Sequence, residues 1–598
     1  MKHKMQKLAI LLAAAVLLLC SCQNTDQSDP GQPDPDKDAP IVTDQVPVEL
    51  PLVLTASVGT LPETLKPADC VGDGSATILY HLYENLMRWE DDGHGHAVLA
   101  PGQAESFTVE TDYLGSATYT FTLRSDILWS DGQAVSAYHF VSAWQRIADP
   151  GYNSPYRELM SCIAGYDAVQ ESGDVSLLKV SATDSRTLVV VLNGGAPYFL
   201  TDVCAGAYTM PIRTYLPVGQ EDLILSNGPY VVAENSSDEI VLRKNEKYYG
   251  SADVTVDELR FIPSVSSEAD YAKFREGTLN LTVDLPAAAL EAMQGESGWT
   301  PEAVSSTYGF VFNTLAAPFD HSGIRAAFHL VIDEQAIIDA LNDRTLRPAV
   351  GLIPYGVFDH KERSAQELPA VSEGDETTQK PPVISNDPYC DFRTHSEEIV
   401  TLNTSADYAA DCESARKLLA DAGYADGSEF PEVEYLYLDT PENKAIAQLL
   451  QQMWKKELGV TVVLRGVTDE EYERMLDPSL QSEGEEAYVF RIAAMEFTAN
   501  TYNDAGDFLA VWHSDSALNC AGYSSEAFDL LIECSRSAST ASIYDAYLHD
   551  AEAILLEDAP IVALFYRGSG YALAEDLVGL YRLPNGIFFL ENVTKRAN

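Results

Sequence analysis

Positive charge is scarce in this sequence. Lys and Arg number 38 against 91 Asp and Glu, a formal net charge of −53 over 598 residues. Nucleic-acid binding needs a basic footprint, so this balance argues against it. It also argues against direct adhesion to anionic lipid. The acidity reads as a solvated surface that keeps the chain in solution. Cysteine is sparse as well: Cys20, Cys22, Cys70, Cys162, Cys204, Cys390, Cys412, Cys520 and Cys534, at irregular spacing and with no CxxC pair. That is not a dense disulfide framework, and it leaves one or two bridges open without saying which. Enzyme signatures are missing. The chain has no HExxH, no GxSxG and no Walker loop, and Gly568-Ser-Gly570 lacks the spacing of a nucleophile elbow. Gly72-Asp-Gly74 is too short for a dinucleotide loop and reads as a turn. His94-Gly-His96 is the one close histidine pair, and nothing nearby completes a metal set. No catalysis, no metal and no cofactor are expected.

Long apolar runs are absent beyond the N-terminus. There, Met-Lys-His-Lys-Met-Gln-Lys precedes an uncharged run from Leu8 to Leu19 and then Cys20-Ser21-Cys22. A cationic start, a short apolar stretch and small residues before a break are the pattern of a secretory signal, predicted over residues 1–21. The run is shorter than the ~20 residues that a bilayer span needs. Leu19-Cys20-Ser21-Cys22 resembles a lipoprotein box, with Ser21 before the cut and Cys22 as the lipid-bearing residue. Cys20 fits less well, because bulky Leu19 would precede the cut. The alternative is a plain cleaved signal followed by an ordinary cysteine. The resemblance implies a diacylglyceryl group on the Cys22 thiol. Each buried CH₂ contributes about 0.8 kcal/mol, and two chains anchor stably where one does not. Residues 22–51 are rich in Asp, Pro, Ser and Gln and read as a disordered, extended linker.

The remaining chain is too long for one core, so two or three domains are expected. Leu52 to Val58 alternates as a strand. Ala76–Trp89 carries Ile78, Leu79, Leu82, Leu86 and Trp89 at helical spacing. Tyr119–Leu123, Thr187–Leu192 and Ile240–Arg243 are short β runs. Ser136–Ile147 puts Phe140, Val141, Trp144 and Ile147 on one helical face. The clearest unit comes later. Glu432–Leu438 is a strand, Thr440 a good N-cap and Pro441 a good first helical residue. Ile446, Leu449, Leu450, Met453 and Trp454 form an apolar stripe, Gly459 stops the helix, and Val460–Leu464 is the next strand. Strand, helix and strand of these lengths form a right-handed parallel crossover. Ligands of parallel sheets sit beyond the carboxyl ends of the strands. The body is therefore α/β, with meander-like β pieces in its first third. Residues 361–397 are polar and acidic, contain Pro, and read as a surface insertion.

A longer pattern emerges from the order of segments. Leu61-Pro-Glu-Thr-Leu-Lys-Pro-Ala-Asp69, Leu82-Tyr-Glu-Asn-Leu-Met-Arg88 and Tyr119-Thr-Phe-Thr-Leu-Arg-Ser-Asp126 with Trp129-Ser-Asp-Gly132 come first. Phe140-Val-Ser-Ala-Trp-Gln-Arg146 with Ala148-Asp-Pro150 follows, then Asn227-Gly-Pro-Tyr230, Leu242-Arg-Lys-Asn245 and Tyr248-Tyr249. Gly309-Phe-Val-Phe-Asn313, Pro318-Phe319, Ile324-Arg-Ala-Ala-Phe328 and Ala415-Arg-Lys-Leu-Leu-Ala-Asp-Ala-Gly-Tyr424 complete the series. In this order they resemble extracellular solute-binding family five, the oligopeptide- and dipeptide-binding subunits of ABC importers. The resemblance implies an α/β, periplasmic-binding-protein-like type II fold of two lobes joined by a hinge, with an extra domain. It implies a first lobe in three pieces (52–88, 206–305 and 566–598), an extra domain at 89–205 and a further lobe at 306–565. The implied ligand is an oligopeptide gripped by its main chain in the interlobe cleft, as an added strand. Closure follows binding, and the partners are an ABC permease and its ATPase. The protein is expected to be a monomer at the extracytoplasmic face of the cell membrane, touching the membrane through its lipid only. The same fold also accommodates a nickel chelate, a glycan or an opine, or a peptide-sensing receptor without transport.

One segment departs from the family's pattern. The family holds the peptide's ammonium with an Asp in a "GWxxDYxDP" stretch. Here Met495 to Ala505 reads Met-Glu-Phe-Thr-Ala-Asn-Thr-Tyr-Asn-Asp-Ala. Asn500 or Thr501 falls where that Asp belongs, and neither forms a charge pair. A buried ammonium without a carboxylate is costly. Either Glu496 or Asp504 takes over, or the ligand has no free amino terminus there, or the loop has diverged around an unchanged ligand class. Tyr502 and Asn503 are further candidate contacts. Trp512 and Tyr156 are cleft candidates that fit plain core equally well. The leader has its own test. Cys22→Ala should move the protein from the membrane pellet to the soluble fraction or the medium, and retention in the pellet would show the lipid assignment to be wrong.

Overall fold

The computed structural model describes residues 51–596, apart from 214–222, 290–300, 360–391, 396–407, 478–488, 499–503 and isolated shorter stretches. Cys22, the leader, the linker, the His94–His96 pair and most of the acidic insertion lie outside the described residues. Within that insertion, Phe392–His395 is a short helix. Its Phe392 stacks on His549 at 3.8 Å, and Arg393 is buried against Glu552.

β1 (Val53–Val58) buries Leu54, Ala56 and Val58, as the alternation predicts. α1 (Ser75–Leu82) follows, and the helix predicted through Trp89 stops at its end, because Tyr83 is extended (φ −128°, ψ 159°). Asparagines supply the backbone partners that a longer helix would have supplied. Asn227 accepts from Glu84 N at 3.2 Å and donates to Glu84 O at 2.8 Å. Asn85 Nδ2 reaches Val203 O at 3.1 Å and Gly206 O at 3.0 Å, and its Oδ1 accepts from Leu86 N at 2.8 Å. Leu86 and Trp89 are buried even so, Trp89 on the strand Met87–Asp91. An apolar residue serves either element, so spacing alone does not separate them.

β2 (Ala104–Thr111), β3 (Ala117–Leu123), β4 (Val180–Ala182) and β5 (Thr187–Val191) form an antiparallel sheet in the order β2-β3-β5-β4. α2 (Ala137–Ala148), capped by Ser136, packs on it and buries Phe140, Trp144 and Ile147. β6 (Tyr230–Asn235), β7 (Ile240–Lys244), β8 (Glu258–Pro263) and β9 (Leu281–Thr282) join β1 in the first of two six-stranded sheets. There β1 runs parallel to β8 and β9.

The second six-stranded sheet comprises β10 (Pro301–Phe312), β11 (Arg347–Pro348), β12 (Val433–Leu438), β13 (Val462–Val467), β14 (Ile492–Thr498) and β15 (Ile561–Gly570), ordered β11-β15-β10-β14-β12-β13. The predicted crossover is present. Thr440 caps α3 (Pro441–Leu458), and Gly459 ends it in the left-handed region at φ 73°. β12 and β13 pair in parallel from Val433↔Val462 to Leu438↔Val467. Trp454 is wholly buried and donates to Phe328 O at 2.9 Å. Gly309 lies so close to β15 that a Cβ would sit 2.0 Å from Val562 O. Both faces of the sheet are covered: Tyr308, Phe310 and Phe312 enter one apolar core, Val311 and Ala493 another. β16 (Ala572–Leu573) returns the chain to the first sheet beside β9.

The fold is α/β: two lobes around six-stranded sheets, with the four-stranded sheet as an extra domain that shares the first lobe's core. The described cysteines, Cys70, Cys162, Cys204, Cys412, Cys520 and Cys534, are free thiols. Asn85 offers a test of what ends α1. Asn85→Ala strands buried backbone groups, each worth about 1–3 kcal/mol. The first lobe should lose about 3 kcal/mol, read as a lower urea midpoint at constant slope. An unchanged midpoint would show that these groups find other partners.

Candidate functional site

β12, β13 and β14 run in one direction and end at Leu438, Val467 and Thr498, on one edge of the second sheet. β10 enters and β15 leaves at the same edge, since Ser306 pairs with Thr498 and Pro301 with Gly570. In the first sheet β1, β8 and β9 end at Val58, Pro263 and Thr282, and Thr282 pairs with Ala572, where β16 begins. Tyr571 alone separates β15 from β16. The chain therefore passes from the carboxyl edge of one sheet to the carboxyl edge of the other. Ligands of parallel strands sit beyond such edges, and here two of them meet.

A charged cluster lines the second lobe's edge. Arg567 of β15 stands between Glu496 of β14, 2.9 Å from its Nε, and Glu442 in the first turn of α3, 2.8 Å from Nη2. Ser306 of β10 donates its hydroxyl to Glu496. The guanidinium lies 5.2 Å from the ring centre of Tyr308, which stacks on Phe565. A contact of this kind contributes about 0.5–2 kcal/mol. Burial works against the Arg567 charge, but Glu496 and Glu442 outweigh it and keep the group protonated. Glu496 remains 41% exposed and Arg567 25%. Two carboxylates share one cation, so the cluster carries one surplus negative charge.

Of the residues singled out from the sequence, Glu496 stands in this cluster. Asn500, Thr501, Tyr502 and Asn503 lie outside the described residues. Asp504 is buried and caps α4 (Ala505–Ala510), accepting from Gly506 N at 2.7 Å and from Tyr544 OH at 2.5 Å. Trp512 is buried in the second lobe, its ring 5.9 Å from Phe497. Tyr156 is buried in the extra domain, stacked on Tyr208 at 3.8 Å and donating to Cys70 O at 2.6 Å. Burial pushes its hydroxyl pKa well up. Tyr198 joins the core shared by the first lobe and the extra domain to the core of the second lobe: it packs on both, with its ring 5.7 Å from Tyr544. Burial first, then Cys162, Asp504 and Asp202, hold its hydroxyl firmly protonated. Arg567, Ser306 and Glu442 belong to no motif. Their one visible signal is a lone Arg at the end of the apolar run Ile561 to Tyr566. Among the described residues no group of three His, Cys, Asp or Glu could hold a metal ion, and no helix is long and apolar enough to cross a membrane.

Two lobes whose carboxyl edges meet at a strand crossing, with an extra domain on one of them, define a two-lobed binding protein of type II. The chain belongs to the bacterial extracellular solute-binding proteins, family 5, whose middle-region profile matches residues 98–519. It is 26% identical over 540 residues to the dipeptide-binding protein DppE of Bacillus subtilis, covering 89% of each chain. It is 30% identical over 550 residues to the probable deoxycholate-binding periplasmic protein YgiS of Escherichia coli, covering 88% of this chain and 91% of that one. Its fold matches that of Haemophilus influenzae OppA in complex with RPPGFSPFR, with a TM-score of 0.69, 23% identity and coverage of 92% and 99%.

Arg567→Met leaves Glu496 and Glu442 without their cation. Stability should fall by about 1 kcal/mol at low salt, and less in 1 M salt, which screens exposed charge. A loss of the same size at both salt levels would assign it to packing on Tyr308 instead.

Proposed function

We propose that this protein is the substrate-binding lipoprotein of an ABC importer, capturing oligopeptides between its lobes and delivering them to a membrane permease. The observation that carries the reading is the meeting of two carboxyl edges at Gly570–Ala572, with Glu496, Ser306 and Arg567 along one of them. On this reading the first lobe comprises 52–88, 206–305 and 566–598, the extra domain 89–205, and the second lobe 306–565. The relatives' names support a peptide: DppE is called dipeptide-binding, and the H. influenzae protein is described with RPPGFSPFR bound. A peptide laid along the edge pairs through its main chain, which tolerates many sequences. Its ammonium meets Glu496, which supplies the carboxylate that Asn500 and Thr501 lack. Closure over the ligand shifts the population toward the form that the permease reads. The lipid on Cys22 and the 22–51 linker hold the protein at the extracytoplasmic face.

A second reading keeps the cleft and changes the solute. It is favoured by the polar residues at Asn500 and Thr501 and by the 30% identity to a protein named as deoxycholate-binding. Calorimetric titration separates the two. Mixed free peptides should bind, N-acetylation should weaken them about tenfold or more, and Glu496→Gln should abolish that difference. Saturable heat with deoxycholate and none with any free peptide would establish the second reading. Equal binding of free and acetylated peptides would remove Glu496 from its role.

A further inference from the structure

A cavity of about 340 Å³ opens within the first lobe and extra domain, and no residue of the second sheet lines it. Its volume falls in the ~300–1,000 Å³ range of small-molecule sites. Three cations reach it, Lys66, Arg146 and Arg213, in a chain whose net charge is −53. Arg213 is paired with Asp131. Arg146 lies over the Tyr152 ring at 4.2 Å, and Tyr152 donates to Asp69. Neither Lys66 nor Arg146 has a carboxylate within ion-pair distance among the described residues. The rest of the wall is largely apolar, formed by Pro67, Ile212 and the run Leu223-Ile224-Leu225, with Leu223 left 48% exposed.

This combination selects its occupant. An ammonium would be repelled by the unpaired cations. A neutral apolar molecule would desolvate them without offering a partner, which is unfavourable. A carboxylate on an apolar chain satisfies both walls: guanidinium and ammonium hydrogen-bond strongly to carboxylate, and the leucine run covers the chain. We propose that this cavity is a second binding site, separate from the interlobe cleft, for a monoanionic amphiphile with one carboxylate on an apolar chain. Its walls join the extra domain to the segment after Leu65 through Ser154 Oγ, which donates to Ala68 O at 2.7 Å. Occupancy therefore stabilises that junction.

Octanoate is the probe, with octylamine and octanol beside it. Calorimetry on the mature chain should show saturable heat with octanoate and none with octylamine, and octanoate should raise the unfolding temperature. The double variant Lys66→Gln/Arg146→Gln changes two side chains outside the core, so it should fold as the parent does, its unfolding temperature lowered only by the loss of the Arg146–Tyr152 contact. Its affinity for octanoate should fall about tenfold or more. Absent saturable binding, equal binding of octylamine, or an octanoate affinity untouched by the double variant would each overturn the proposal. So would an octanoate affinity that changes on Glu496→Gln, since that would place the ligand in the cleft.

Discussion

Strands β10 and β15 pair from Val311↔Ile561 to Pro301↔Gly570, and at the end of that ladder β15 hands the chain back to the first lobe. The register of this ribbon sets the rest of the site. Thr307 stands opposite Tyr566 and Tyr308 opposite Glu496, which brings Arg567, Ser306 and Glu496 to one edge. Two register shifts, after Ala303 and after Tyr308, let the ribbon bend as it leaves the sheet. A slip by one residue would turn every side chain to the opposite face and part Arg567 from Glu496. The close approach at Gly309 opposes such a slip, because the position next along β10 carries Phe310, which the Val562 carbonyl would not admit.

Charge is managed by the same economy of cations. Two cations withdrawn from water meet carboxylate, Arg567 with Glu496 and Glu442, and Arg393 with Glu552, whereas buried Arg325 donates to the backbone carbonyls of Phe319 and Asp558. A broken pair would leave one charge uncompensated, which costs far more than the pair contributes. His81 follows a different solution. Its Nδ1 donates to Thr77 O at 2.7 Å, and its Nε2 accepts from Leu590 N at 3.0 Å, so both ring nitrogens are engaged by the neutral ring. Glu591 is 3.6 Å from Nε2, but that nitrogen carries no proton to offer it. Burial, the leading influence, lowers the His81 pKa from 6.5. The unfolded chain therefore binds the extra proton first, and this contribution to stability declines as pH falls below about 6.5. The contact ties the last segment of the chain to α1, within the first lobe.

The two concave sites differ in sign. The cleft edge carries a surplus carboxylate, while two of the three cations at the cavity, Lys66 and Arg146, have no carboxylate within ion-pair distance among the described residues. In so acidic a chain most of the surface repels anions, so Lys66 and Arg146 beside an apolar wall define a local exception. Tyr198 of the extra domain packs on the core shared with the first lobe and on that of the second lobe, apart from the strand crossing.

Local features were open to reading in advance. Thr440, Pro441, the stripe through Trp454 and Gly459 set the crossover helix by contacts within a few residues, and the ordered segments from Leu61 to Tyr424 carry the family. The overrun of α1 shows where such reading stops: Tyr83 to Trp89 is shaped by Asn227 and by the carbonyls of Val203 and Gly206, more than a hundred residues away. The site obeys the same limit. The sequence by itself determined the α/β class, the crossover and the family, because each rests on neighbours in the chain or on their order. Only the tertiary structure decided which two acids among 91 face Arg567, because the fold brings Glu496 and Glu442 onto one guanidinium and sheet pairing joins Ser306 to Glu496, 190 positions apart, in one hydrogen bond.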